Sequence, residues 1–244
     1  LATKNKHHFA GEMLESPLFH PHINTSPDVC SSILVDRFLS GKYRLWAIVA
    51  SFGDNLHVSA HELAGSLKLN PKKTEELREL GELINYNAYG ETIDDLHFSP
   101  EVLFKALQPF SNPFEFYHTS GELNQLREGF RNDMQKAESK IPVRQTSAGR
   151  IYQFQNQAWC RRVSGVYSNQ IAREAPDLAH ALLVERKDGT FLVSVRAPIS
   201  KPQGAEKLCI KFSGGGRAAA AGINNLAPEE VDRFFDAFDL QFTN

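Results

Sequence analysis

Two apolar segments joined by a tight turn signal constrain the fold of this chain more than any other feature. Residues 180–186 and 190–197 are rich in apolar side chains, and Asp188–Gly189 lies between them. Glycine accepts the positive φ that tight hairpin turns require, so the pattern predicts two adjacent antiparallel strands. A helix over about 204–212 and a later helix opened by Pro228 are also predicted, which indicates a mixed α/β fold.

The charge is distributed unevenly along the 244 residues of the chain. Residues 1–138 contain 19 acidic and 13 basic side chains, whereas residues 139–244 contain 10 acidic and 14 basic ones. The change falls in a polar stretch that ends at Pro142, which is typical of a linker. We therefore predict two domains, 1–138 and 139–244, with a helix-rich first part and a smaller strand-and-helix second part.

Helix-start signals are frequent in the first part. Asn70 precedes Pro71, and Ser59/Glu62 and Thr119/Glu122 have the spacing of capping boxes. The apolar run 45–52 is compatible with a buried strand or a buried helix, and Gly53–Asp54–Asn55 ends it.

Composition excludes several classes of protein. The formal net charge is -2, which argues against a generally basic nucleic-acid coat, so any anion site must be local. No apolar run reaches the roughly 20 residues of a membrane span, and no signal peptide is recognisable, which leads us to expect no membrane association and a cytoplasmic location. Three cysteines without a CxxC pair predict reduced, buried thiols. Because Leu1 opens a polar stretch, we also expect residues upstream of it.

Ser213–Gly222 is the most unusual stretch, with the sequence SGGGRAAAAG. Backbone amides of such a loop can converge on an anion, and a following helix of small residues would add its dipole. A plain turn before a tightly packed helix explains the same residues equally well. Arg196, on the second predicted hairpin strand, can supply a planar two-donor contact to a phosphate or a carboxylate.

Val193–Ala197, Phe212–Arg217 and Ala220–Gly222 together resemble the C-terminal domain of the DHH/DHHA1 phosphoesterases. In that family a strand with an S-x-R motif precedes a GGGH-x-x-AAG loop, and Arg217 stands here where many members have histidine. The resemblance covers roughly residues 140–244. It implies that Arg196, Gly214, Gly215, Gly216 and Arg217 bind substrate, while an arginine at 217 cannot act as a neutral base.

The first part resembles a partial DHH domain of the same family. His7–His8 is similar to the end of the Asp-His-His motif with Lys6 in the aspartate position, and Asp54 follows an apolar run like a metal-binding aspartate of the family. The resemblance implies that His7, His8 and Asp54 bind Mn²⁺ or Mg²⁺. Two-metal hydrolysis needs more carboxylates than these residues supply.

The resemblance thus implies an α/β, two-domain DHH/DHHA1-like protein. Its implied function is a manganese-dependent phosphoesterase that hydrolyses phosphodiesters, such as short single-stranded oligonucleotides or cyclic dinucleotides. The alternative is a catalytically degenerate module that binds a nucleotide or single-stranded nucleic acid. Two further alternatives are that the second domain binds a small carboxylate ligand and that the protein forms a homodimer.

Three further features are ambiguous in the sequence. His57 and His61 have the i, i+4 spacing of a metal pair, but a solvated or capping role explains them better. Trp159–Arg162 could stack a base and bind phosphate, although surface decoration is more common. The loop around Asp94–Asp95, flanked by Tyr89 and Gly90, indicates a shaped turn to which we assign no chemistry.

Overall fold

The computed structural model describes residues 2–3, 22–24, 26 and 28–243. The chain forms two compact units. The first consists of Leu1–Ala88 and His97–Glu128, and the second of Tyr89–Leu96 and Gly129–Asn244. A loop from the first part of the sequence therefore belongs to the second unit. The later division between the units falls between Glu128 and Gly129, inside the helix Gly121–Glu138. The domain boundary expected at residue 138 stays a prediction.

Where it is described, the first unit consists of helices and one pair of short strands. The strands β1 (Ala2–Thr3) and β2 (Ile23–Asn24) pair in parallel. The helices are α1 (Ser31–Phe38), α2 (Arg44–Gly53), α3 (His57–Ser66), α4 (Pro71–Tyr86), α5 (Pro100–Leu107), α6 (Pro113–Thr119) and α7 (Gly121–Glu138), which continues into the second unit. The apolar run 45–52 is thus helical and lies in α2.

The cap of α4 is as predicted, and two other helix starts differ from prediction. The Asn70 side chain accepts a hydrogen bond from the Lys73 amide at 2.9 Å. Ser59 lies inside α3, and its hydroxyl donates to the Asp28 carbonyl at 2.8 Å, so it caps no helix. Ser120 rather than Thr119 caps α7, because its oxygen accepts from the Leu123 amide at 3.1 Å.

The second unit is built on a six-stranded mixed sheet. Its strands are β3 (Arg144–Gln145), β4 (Gly149–Phe154), β5 (Ala179–Glu185), β6 (Phe191–Arg196), β7 (Gly215–Arg217) and β8 (Ala220–Leu226). They lie in the order β3-β4-β5-β6-β8-β7. Strands β5 and β6 are antiparallel neighbours, so the predicted hairpin is confirmed.

Helices cover both faces of this sheet. Helix α8 (Ala158–Glu174) packs on one face, where Tyr167 contacts the rings of Tyr152 and Phe154. Helices α9 (Ala205–Ile210) and α10 (Val231–Phe242) pack on the other face. That second face holds the main core of the unit, with Phe234 and Phe238 fully buried against alternate strand residues. The period-2 alternation of β6 produces this division, because successive side chains point to opposite faces.

The helix predicted after the glycine run is wrong. Residues 215–217 and 220–226 instead form β7 and β8, an antiparallel hairpin at one edge of the sheet. Ala221 and Ile223 are buried on the core face, so the alternation of this segment matches a strand. Tertiary pairing with β6 therefore outweighs the helix propensity of the alanines. No helix dipole contributes at Gly214–Arg217.

Cys30, Cys160 and Cys209 are buried free thiols, as predicted. Burial raises the pKa of Cys160 to about 11 and that of Cys209 to about 12, so neither is a thiolate near neutral pH. Among the described residues, no helix has the length and apolar character needed to span a bilayer.

Candidate functional site

Arg196 and Arg217 lie in one row on the same face of the second unit's sheet. Arg196 on β6 is opposite Ala220 on β8, and Ala220 is opposite Arg217 on β7. Directly opposed residues point to the same face, and neighbouring strands lie about 4.8 Å apart. The two arginine backbones are therefore about 10 Å apart, with only a methyl group between them. Long guanidinium side chains can converge over this gap.

The next row on this face has almost no side chains. Ser194 on β6 is opposite Gly222 on β8, which is opposite Gly215 on β7. A Cβ atom added to Gly215 would meet no atom within 4 Å, so neighbouring atoms do not explain the glycine there. The sheet therefore presents a bare backbone floor beside the two arginines.

The two flanking glycines are required by the fold itself. A Cβ on Gly214 would lie 2.3 Å from the Gly222 carbonyl oxygen. Gly216 has a φ of 149°, and a Cβ there would lie 2.5 Å from the Ala221 Cα. Of the three predicted substrate-binding glycines, Gly215 is thus the one whose missing side chain leaves open space.

The Arg196 guanidinium is oriented by neutral partners. Its Nε donates to the Asn169 side-chain oxygen of α8 at 2.9 Å, and its Nη1 donates to the Val195 carbonyl at 3.1 Å. Partial burial lowers the pKa of Arg196, and the positive charge of Arg217 lowers it further. Both effects disfavour the charged form, so a bound anion at this position would relieve an existing electrostatic cost.

Five other arginines of the second unit have carboxylate partners, whereas Arg131, Arg150 and Arg173 form no ion pair with the described residues. Arg144, Arg161, Arg162, Arg186 and Arg233 form ion pairs with Asp236 and Asp239, Asp95, Asp133, Glu91 and Glu230 respectively. Within the described part of the chain, Arg196 and Arg217 form no such pair. Two adjacent cations without a carboxylate are the arrangement expected of an anion-binding site.

The row that contains Arg217 and Arg196 continues across β5 and β4, on the face of the sheet where α8 packs. His180 on β5 is opposite Arg196, and Arg150 on β4 is opposite His180. His180 is only 1% exposed, and its Nε2 lies 3.2 Å from the Ala175 carbonyl. Burial lowers the pKa of His180, so the ring is neutral near pH 7. His180 therefore adds no positive charge to the row near pH 7.

The turn around Asp94–Asp95 lies in the same unit as the arginine row. The Asp95 carboxylate accepts two hydrogen bonds from Arg161 of α8, at 2.8 and 2.6 Å, and also binds the amides of Glu91 and Thr92. The Arg161 hydrogen bonds lower the pKa of Asp95 to about 2. The turn is thus fixed to α8 by a buried ion pair.

The same loop is also tied to the sheet, and it carries an exposed aromatic residue. The Arg186 Nη2 donates to Glu91 at 3.0 Å, and its Nη1 donates to the Asn224 carbonyl of β8 at 3.2 Å. Tyr89, two residues before Glu91, is 42% exposed. The Tyr89 phenol acts electrostatically on Arg196 and raises its pKa against the two lowering effects. Sequence reasoning missed this proximity, because the loop is more than 100 residues from Arg196 along the chain.

The predicted metal ligands are only partly described. His7 and His8 lie outside the described residues. Asp54 directly follows α2 and is exposed. Over residues 22–24, 26 and 28–243, no group of three or more His, Cys, Asp or Glu side chains is placed to hold a metal ion. The described residues alone therefore do not fit a two-metal centre.

The remaining candidates have structural roles. His57 and His61 both contact the Phe52 ring, with centroids 5.7 and 5.3 Å away, as packing partners of a core residue. In the Trp159–Arg162 segment, Arg161 forms an ion pair with Asp95, and Arg162 forms one with Asp133.

Sequence comparison identifies no relative of this chain: neither a protein-family model nor a curated protein matches it. Solved structures do match. The pGpG-specific phosphodiesterase PggH from Vibrio cholerae matches with a TM-score of 0.51 and 15% identity, over 76% of this chain and 72% of that one. Manganese-bound exonuclease RecJ matches with a TM-score of 0.55 and 16% identity, over 83% of this chain and 55% of that one.

A third structure extends the comparison. The DHH domain of a protein described as a member of the S1p family of ribosomal proteins matches with a TM-score of 0.50 and 14% identity. The match covers 81% of this chain and 49% of that one, so the chain spans about half the length of this protein and of RecJ. The chain therefore has a DHH/DHHA1 phosphoesterase-like fold.

Proposed function

We propose that this protein is a phosphoesterase that holds a phosphate of a nucleotide substrate between Arg196 and Arg217. The proposed reaction is hydrolysis of a phosphodiester in a short single-stranded oligonucleotide or a cyclic dinucleotide. The observation that carries the proposal is the pair of adjacent arginines without carboxylate partners beside an open glycine floor.

The chemistry of the site favours phosphate over a neutral ligand. Two guanidinium groups on the same side can each donate planar hydrogen bonds to phosphate oxygens. Asn169 orients Arg196 without neutralising its charge, so the guanidinium keeps its affinity for an anion. The bare floor formed by Gly222 and Gly215 admits a flat or bulky group next to the phosphate.

The proposed hydrolysis also depends on a divalent metal ion, which the resemblance to the DHH/DHHA1 family implies. We propose Mn²⁺ or Mg²⁺ as the cofactor, with His7, His8 and Asp54 as ligands, and the RecJ structure bound to manganese supports this choice. A bound divalent ion would activate water and stabilise charge at the leaving oxygen. Because the described residues do not assemble a two-metal centre, the arginine pair is assigned only binding and orientation of the substrate phosphate.

A second candidate function is supported by a separate observation. The described part of the chain places no metal-binding group of three side chains, whereas the arginine row and floor are complete within the second unit. A protein with this combination would bind nucleotides without hydrolysing them. Such a protein would be the catalytically degenerate binding module considered from the sequence.

One experiment separates the two candidates. The purified chain is incubated with the dinucleotide pGpG in two conditions, one containing Mn²⁺ and the other EDTA. Binding of pGpG and formation of product are measured in both. Hydrolysis that requires Mn²⁺ is expected of the phosphoesterase. Binding in EDTA without hydrolysis under either condition would instead favour the binding module.

The arginine clamp is tested by two substitutions and a control. Arg196→Ala should weaken pGpG binding about tenfold or more, because hydrogen bonds to charged groups contribute about 1.5–3 kcal/mol. Gly215→Val should also weaken binding by filling the open floor while preserving the fold. Arg173→Ala, which removes an exposed cation of α8 outside the arginine row, should bind normally. Unchanged binding in Arg196→Ala and Gly215→Val would disprove the clamp.

A further inference from the structure

A third arginine lies in the same row of the sheet as Arg196 and Arg217. Arg150 on β4 is opposite His180 on β5, and His180 is opposite Arg196 on β6. Opposed residues on neighbouring strands share a face of the sheet, so Arg150 is on the face that carries the arginine pair. Two strand spacings separate Arg150 from Arg196, which places their backbones about 10 Å apart. The second unit therefore has three arginines along one line across its sheet.

The Arg150 side chain is partly buried and has no counter-charge. Its Nε is buried without a hydrogen-bond partner, and within the described part of the chain the guanidinium forms no ion pair. Glu174, the last residue of α8, accepts a hydrogen bond from Gln170 at 2.9 Å and forms no ion pair with Arg150. Arg131 and Arg173 are unpaired as well, but both are exposed. Because burial of an unpaired cation is costly, a bound anion would stabilise Arg150 more than it would the two exposed arginines.

One phosphate cannot contact all three arginines of the row. Four strand spacings separate Arg150 from Arg217 in the sheet, which places their backbones about 19 Å apart. A phosphate held between Arg196 and Arg217 therefore leaves Arg150 to a second anion. A dinucleotide with a 5′-phosphate has two anionic groups of this kind, because one nucleoside separates its two phosphates. The row accordingly matches such a ligand better than a mononucleotide.

We propose that Arg150 binds a second phosphate of a dinucleotide whose other phosphate is held between Arg196 and Arg217. A single phosphate would take the position between Arg196 and Arg217, because two guanidinium groups bind it more strongly than one. The protein should therefore prefer a ligand with two phosphates, such as pGpG, over a ligand with one. This inference rests on the proposed function, because it requires the first phosphate to lie at the arginine pair.

The test compares three guanine ligands in EDTA, so that metal-dependent hydrolysis does not occur. The dinucleotide pGpG has two phosphates, whereas GpG and guanosine 5′-monophosphate have one each, and GpG keeps the second nucleoside. Each ligand is titrated into the wild type, Arg150→Met, Arg150→Lys and Arg196→Ala. The wild type should bind pGpG about tenfold more tightly than GpG, because pGpG forms one further charge-assisted contact.

The Arg150 variants separate the charge of this residue from its packing. Arg150→Met keeps an unbranched apolar stem and removes the charge. It should weaken pGpG binding about tenfold and change the binding of the two one-phosphate ligands by no more than about twofold. Arg150→Lys keeps a positive charge and should bind pGpG more tightly than Arg150→Met does. Arg131→Ala, which removes an exposed, unpaired arginine of the same unit, is the matched control and should bind as the wild type.

Phosphorus NMR spectra give a readout that a merely structural role of Arg150 would not change. The phosphomonoester and the phosphodiester of pGpG give separate signals, and both should shift when pGpG binds the wild type. Arg150→Met should lose one of these two shifts and keep the other. Thermal melting of each variant confirms that it is folded.

The outcomes distinguish the second phosphate position from the clamp. If Arg150→Met binds pGpG as the wild type does while Arg196→Ala weakens all three ligands, the role of Arg150 is wrong and the clamp stands. Normal binding of all three ligands by Arg196→Ala would disprove the clamp, and the role of Arg150 would fall with it. Equal weakening of all three ligands by Arg150→Met would also overturn the second phosphate position, as would weakening of pGpG binding by Arg131→Ala to the same extent.

Discussion

At the scale of single residues, the Arg196 guanidinium combines a neutral orienting partner with a nearby like charge. Asn169 holds its Nε at 2.9 Å, and Arg217 lowers its pKa further than burial does alone. A cation in this setting favours a bound anion, because the anion offsets both the burial and the repulsion. The chemistry of the site therefore depends on which charges are absent as much as on which are present.

Asp95 gives a residue-scale prediction about stability and pH. Its folded pKa of about 2 lies below the ordinary value of 3.8, chiefly because Arg161 donates hydrogen bonds to it. A carboxyl whose pKa falls on folding stabilises the protein above its unfolded pKa, and this contribution disappears as pH drops through the folded pKa. Asp95→Asn should therefore lower the free energy of unfolding by about 2 kcal/mol at pH 7.

Urea unfolding followed by circular dichroism at several pH values measures this effect. The difference between wild type and Asp95→Asn should be largest at neutral pH and should shrink between about pH 4 and pH 2. The neighbouring Asp94→Asn, which changes an exposed carboxylate of the same turn, should unfold like the wild type. A difference that stays constant with pH would contradict the assigned cause.

At the scale of secondary-structure elements, the close crossing of α2 and α4 organises the first unit. Leu77 and Leu80 of α4 are fully buried, as are Ile48 and Phe52 of α2, with at most 1% exposure. Gly81 allows the two helices to approach, because a Cβ there would lie 2.1 Å from the Val49 carbonyl oxygen. Helix backbones meet at this point without intervening side chains.

Gly81→Ala is accordingly expected to be strongly destabilising. The added methyl group must push the helices apart, and overpacking of this kind costs about 1–3 kcal/mol or more. Gly65→Ala is the matched control, because a Cβ at Gly65 in α3 meets no atom within 4 Å. That control should be neutral or more stable by about 0.5–1 kcal/mol. Thermal melting of both variants measures the difference, and equal melting temperatures would contradict the close-packing role.

At the scale of the whole molecule, the proposed binding of a nucleotide and its proposed hydrolysis would depend on different parts of the chain. The second unit holds the complete arginine row, whereas the proposed metal ligands belong to the first part of the sequence. Hydrolysis would therefore require both parts, while nucleotide binding would require only the second unit. Substitutions in the two parts should separate these activities.

Asp54→Ala tests this separation. If Asp54 holds a divalent ion, the variant should lose Mn²⁺-dependent hydrolysis of pGpG by at least 100-fold. Its binding of pGpG in EDTA should stay at the wild-type level, because Asp54 is exposed and belongs to the first unit. Asp28→Ala, another exposed aspartate of that unit, is the control. Hydrolysis that persists in Asp54→Ala would remove this residue from the proposed metal site.

Local sequence patterns predicted much of the architecture. The Asp188–Gly189 hairpin, the Asn70 cap and the helix that follows Pro228 reflect backbone preferences over a few residues. Through a family resemblance, the S-x-R and glycine-rich segments indicated the residues that we propose bind substrate. The helix predicted after the glycine run was wrong, because pairing with β6 is a long-range interaction that local propensity does not contain.

The sequence by itself determined the mixed α/β class, the hairpin and the identity of the residues that form the arginine row. Only the tertiary structure decided that Arg196 and Arg217 lie in register across β8 without carboxylate partners. It also decided that the loop carrying Tyr89 joins the second unit through the Asp95–Arg161 and Glu91–Arg186 pairs. Local patterns reflect preferences of neighbouring residues, whereas strand register and ion pairing between distant segments arise only when the chain packs.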